Sequence, residues 1–112
     1  MFIDISTERR SSAFREAAEK WGNIITIDFP EVVIDAASNN CKIIASNLKE
    51  HLSHLNIKKG DCVCIAGEYG ITFDIVDYVH SCLNSVICVY PIFEETYNSE
   101  EHSYKFIKFR IY

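Results

Sequence analysis

Residues 60–72 read Gly60-Asp61-Cys62-Val63-Cys64-Ile65-Ala66-Gly67-Glu68-Tyr69-Gly70-Ile71-Thr72. An unbroken apolar run leads into a short connection with two glycines, and a second apolar stretch follows. The run at 61–66 has the length and continuity of a strand covered on both faces. From 71 to 83 apolar residues recur almost all the way round a helical projection (Ile71, Phe73, Ile75, Val76, Tyr78, Val79, Cys82, Leu83). That pattern predicts a helix packed on the sheet and touching something else as well, and a subunit interface explains the surplus. A buried strand, a glycine turn and a helix in this order form the repeating unit of an α/β fold.

Upstream, residues 2–5 read as a strand ending in Ser6-Thr7, residue types that commonly cap a following helix. Phe14, Ala17, Ala18 and Trp21 then form one buried stripe, and Gly22 occupies a C-terminal cap position. Residues 23–29 are β-branched and apolar, and Pro30 ends the strand they predict. A short apolar stretch at 32–37 precedes a second amphipathic helix, with Cys41, Ile44, Ala45, Leu48, Leu52 and Leu55 on one face. Downstream, residues 86–93 predict a strand whose Pro91 marks an edge or a bulge.

Residues 94–102 are turn-rich, and 103–112 alternate cleanly. Alternation puts Lys105, Ile107, Phe109 and Ile111 on one side and Tyr104, Phe106, Lys108, Arg110 and Tyr112 on the other. The order is βαβαβαββ. It implies a small Rossmann-like domain spanning residues 1–112, with a mostly parallel five-stranded sheet, helices on both faces and a C-terminal antiparallel hairpin.

Composition narrows the function classes. The chain has 112 residues, 48% apolar, with only 4 Gly and 2 Pro, which suits one folded core and argues against disorder. Eleven Lys and Arg against 16 Asp and Glu give a net charge of −5, the wrong sign for a duplex-DNA binder, while a small anionic ligand held by local donors remains compatible. The start lacks a signal-peptide pattern and no apolar run spans a bilayer, so a cytoplasmic protein with no membrane contact is expected. The five cysteines are odd in number and irregularly spaced, and Cys62 and Cys64 would share one strand face, as buried core thiols do. His51 and His54 are three apart on a helix, but without an accompanying Cys or acidic cluster they do not make a metal site. His80 reads as a packed or interface histidine.

In doubly wound sheets ligands bind beyond the carboxyl ends of strands, where successive connections leave in opposite directions. With an order beginning 2-1-3, Ser6-Thr7 and the turn from Gly67 to Gly70 would face one crevice, each opening a helix whose first amides can donate to an anion. The turn is neither a P-loop nor a dinucleotide fingerprint, and a plain tight turn remains the alternative. The aromatic and basic face of the last strand can stack bases and pair phosphates, or it is a charged edge that resists aggregation.

Residues 60–72, the strand at 86–91 and the closing Lys108-Phe109-Arg110-Ile111-Tyr112 together resemble small accessory proteins of type III CRISPR loci, the Csx group regarded as ring nucleases. Those relatives show a Gly-Asp-hydrophobic run entering a G-D-F-G-A-T-like turn and a basic R-F-R-x-Y-like close. The resemblance covers about the last 50 residues, and where relatives show Ser-His at the first strand's end this chain has Ser6-Thr7. It implies degradation of cyclic oligoadenylate, most plainly cyclic tetra-adenylate, by metal-independent 2′-hydroxyl attack, with no cofactor and in a homodimer. Under that implication Glu68 and Arg110 are the catalytic residues. Ser6, Thr7, Gly67, Tyr69, Gly70, Thr72 and Lys108 bind substrate, with Tyr69 stacking on adenine. A non-catalytic sponge or sensor for the same messenger and a protein-interaction module are the alternatives.

Overall fold

The computed structural model describes residues 1–6, 11–29, 40–98 and 101–112. Five strands form one sheet: β1 (Phe2–Ser6), β2 (Ile24–Thr26), β3 (Cys62–Ala66), β4 (Ile87–Asn98) and β5 (Glu101–Ile111). The helices are α1 (Ser12–Ala18), continued by a 3-10 turn at Glu19–Trp21, then α2 (Asn40–Ser53) and α3 (Tyr69–Cys82). The spatial order is β2-β1-β3-β4-β5, parallel except for the antiparallel β4–β5 pair. This is the expected α/β architecture, with its reversal of winding at β1 and β3.

Alternation along the strands builds two cores. Ile3, Ile5, Val63, Ile65 and Cys88 pack against Leu48 and Leu52 of α2 and Ile71, Ile75 and Val79 of α3. Phe2, Cys62, Cys64 and Val89 face the other way, onto Phe14 and Ala18 of α1 and Phe106 of β5. Cys62 and Cys64 are therefore core thiols on one face. Burial pushes the Cys62 and Cys88 thiols up to about 12, where the nucleophilic thiolate is scarce at neutral pH.

Several local expectations are corrected. The side chain that caps α1 is Ser11, whose hydroxyl accepts the Phe14 amide at 3.2 Å, rather than Ser6 or Thr7. Thr7 and the 32–37 stretch lie outside the described residues. Gly22 does close the first helical segment, with a φ of 104° that favours glycine. β2 is only three residues long. The turn-rich reading of 94–102 gives way to two long paired strands, in register from Glu94 with Lys105 to Tyr97 with His102. His80 is exposed rather than packed.

The register also overturns the simple alternation of β5. Ile92 pairs with Lys108 but Phe93 with Phe106, so Ile107 is an extra residue, a bulge. The bulge reverses the phase of the strand: Phe106 and Phe109 both enter the α1 core, at 5.5 and 5.0 Å from the Phe14 ring. The expected five-residue face is cut, and beyond the bulge Lys108, Arg110 and Tyr112 share a side with Lys105 instead of Phe106.

Candidate functional site

The site arises where the sheet splits. β4 pairs with β3 only from Cys62 with Ile87 to Cys64 with Val89. Cys88 uses its carbonyl to accept the Tyr112 amide of the closing segment at 3.0 Å, so alternation turns the backbone polar groups of Val89 and Pro91 toward β3. Pro91 has no amide to donate there, and the two strands part. The Ile65 carbonyl in the fork accepts the Tyr112 hydroxyl instead, at 2.5 Å. The Tyr112 ring lies 4.7 Å from that of Tyr90. Burial holds the Tyr112 phenol above its ordinary range, so the hydroxyl stays a donor.

The fork opens into a cavity of about 550 Å³ at the carboxyl end of β3. Ala66, Gly67 and Glu68 line it from the turn, Tyr69 and Thr72 from α3, and Tyr90 and Tyr112 from the hairpin. Gly67 is closely packed: a Cβ there would displace the Phe29 ring. The Thr72 hydroxyl oxygen is buried and has no hydrogen-bond partner among the described residues. Such an atom loses its hydration without recompense.

Glu68 is the N-cap of α3. One of its carboxylate oxygens accepts the Ile71 amide at 2.8 Å. Hydrogen bonds from the Gly70 and Ile71 amides, with the Cys41 thiol at the start of α2 contributing, hold the carboxyl below its ordinary value against a small opposing effect of burial. The first amides of α3, expected as an anion cradle, are thus directed at this side chain. A carboxylate so stabilised is a weak proton acceptor at neutral pH.

Of the residues singled out in the sequence, the structure brings Gly67, Glu68, Tyr69 and Thr72 to one cavity wall, with Gly70 in the first turn of α3. Lys108 and Arg110 stand opposite Ile92 and Tyr90 on the strand that delivers Tyr112, and neither forms an ion pair with another described residue. Ser6 is not part of this wall. It lies beside Ala66 in register, 4% exposed, and donates to the Asp4 carboxylate at 2.7 Å. Asp4, wholly buried on β1, was signalled only by a carboxylate inside an apolar strand. Tyr90 was signalled by its place before Pro91. The approach of Cys41 to Glu68 joins residues far apart in the chain and left no local trace.

His51 and His54 are both exposed, and the described residues contain no group of three His, Cys, Asp or Glu that could hold a metal. No helix among them is long and apolar enough to cross a membrane. Residues 2–110 match the family model described as the uncharacterized protein MJ1673 family. No curated protein and no solved structure matches the chain.

Proposed function

The chain belongs to that family, and we propose that it binds a cyclic oligoadenylate at the β3–β4 fork and linearises it. The supporting observation is the cavity itself. Three tyrosines and a buried threonine hydroxyl without a partner among the described residues surround it, and two cations free of ion pairs with those residues ride on the strand that closes it. Aromatic rings stack on bases, and Lys and Arg offset phosphate charge, even on a molecule of net charge −5. In the reaction the ribose 2′-oxygen bonds to the adjacent phosphorus and the P–O5′ bond breaks. The proton lost by the 2′-hydroxyl passes to water, or to Glu68 once its carboxylate turns from the α3 amides, and the 5′-oxygen takes one up, leaving a linear 2′,3′-cyclic phosphate.

The nucleophile belongs to the substrate, so the protein aligns attack and neutralises charge. Arg110 and Lys108 do the second. Two copies related by a two-fold axis would offer matching cavities to a ring of the same symmetry. A second reading, binding without cleavage, is favoured by Glu68, whose carboxylate is engaged at the α3 amides.

Incubation with cyclic tetra-adenylate in excess chelator, with products resolved by mass, tests the proposal. A linear product is expected. Release of an intact ring after stoichiometric binding supports the second reading, and cleavage only on restoring metal overturns the mechanism. Arg110→Ala is expected to weaken binding by about 1.5–3 kcal/mol.

A further inference from the structure

Adjoining the cavity, on the outer face of α3, is a second concavity of about 310 Å³ bounded by Tyr69, Thr72, Phe73, Val76 and Tyr112. Tyr69, Thr72 and Tyr112 border both hollows, which therefore form one mainly apolar depression whose few polar atoms lie at the Gly67 turn and whose α3 end is almost wholly apolar. Phe73 is 72% exposed although the opposite face of α3 already supplies Ile71, Ile75 and Val79 to the core. Its exposure has no structural reason. The apolar stripe is also short, because one turn further along the same face Asp77 and His80 are exposed. A helix packing against a second copy needs a stripe along its length; this one stops beside the cavity.

The depression thus ends in a flat apolar shelf with Tyr69 90% exposed beside Phe73, and Lys108 and Arg110 stand outside its lining, on the strand that carries Tyr112. We propose that the shelf is a purine-binding subsite. The base seats on Phe73 and Val76 between the rings of Tyr69 and Tyr112, and the attached phosphate lies toward the strand that carries Lys108 and Arg110. This rests on the nucleotide reading of the cavity and deepens it, assigning base selection to α3 rather than to the turn. The stacking surface is non-directional, so the shelf favours a flat base over a sugar phosphate alone without choosing among purines.

Calorimetric titration with AMP, IMP and ribose 5-phosphate tests the assignment. AMP is expected to bind at least about tenfold more tightly than ribose 5-phosphate, the worth of one stacked base. Phe73→Ser should remove that advantage while leaving ribose 5-phosphate unchanged, and IMP should bind about as tightly as AMP. Equal affinity for AMP and ribose 5-phosphate overturns the subsite. So does a Phe73→Ser protein that changes oligomeric state in sedimentation while binding AMP as before, which gives the shelf to a second copy. The two proposals fail separately: selective AMP binding with cyclic tetra-adenylate left intact removes the ring-cleavage reading alone, and ring cleavage at the parental rate by Phe73→Ser removes the subsite alone.

Discussion

Aromatic rings gather on both sides of this sheet, as phenylalanines and a tryptophan over α1 and as tyrosines at the β3–β4 fork. In the first group Phe2, Phe14, Trp21, Phe93, Phe106 and Phe109 meet at centroid separations from 4.9 to 6.1 Å, in tilted or edge-on pairs. Nothing polar on these rings except the indole N–H needs a partner. In the second, Tyr112 reaches a carbonyl that a neighbouring strand would otherwise satisfy, and Tyr69 is 90% exposed. The phenylalanines close a core, while the tyrosines supply ring surface to a place where the sheet has come apart. The comparison separates stability from recognition: the molecule should lose the first when the α1 cluster is cut and the second when the fork is.

The sharpest break is Phe14→Ala. Phe14 is 1% exposed and contacts Phe2, Phe106 and Phe109, so its removal is expected to cost about 3–5 kcal/mol in denaturant unfolding. Titrated below its unfolding midpoint, the variant should retain ligand affinity. A loss of binding without a loss of stability would merge the two regions into one.

Tyr112→Phe keeps the ring and removes only the bond to the Ile65 carbonyl, for which about 1 kcal/mol of stability is expected to be lost. Ligand affinity should change as well, because the ring forms a wall of both hollows. Unchanged stability and unchanged affinity together would show that the fork does not depend on this contact.

The smallest effect belongs to Glu68→Ala. Losing the α3 cap should cost about 0.5–1 kcal/mol at neutral pH. Because the folded-state value of Glu68 is depressed, its contribution is complete above the ordinary glutamate range and is lost as pH falls through the lower, folded value. Unfolding curves of the two proteins should therefore differ at neutral pH and converge in acid. A constant difference across that range would remove the carboxylate from the cap.

Much of the architecture was legible because periodicity is a local property. The stripes Phe14, Ala17, Ala18, Trp21 and Cys41, Ile44, Leu48, Leu52, Leu55 face the two cores as their spacing required, and Ala45 is buried as well. The β5 face was misread because one bulge reverses every later side chain, and no residue type announces Ile107 as the extra one. Within the site, Gly67, Tyr69 and Thr72 were visible as a turn running into a helix. The capping role of Glu68 depends on the actual path of the turn, and Tyr112 enters by crossing from β5 to the end of β3.

By itself the order of residues determined a mostly parallel α/β sheet, buried thiols at Cys62 and Cys64, and a glycine-bearing turn at the carboxyl end of the third strand. Only the tertiary structure decided that β3 and β4 separate at Pro91, that Tyr90 and Tyr112 occupy the gap, and that the Thr72 hydroxyl is left without a partner among the described residues. The physical reason is range. Hydrophobic periodicity and turn chemistry act over a few residues, whereas a fork in a sheet depends on which backbone groups of distant strands find each other and which do not.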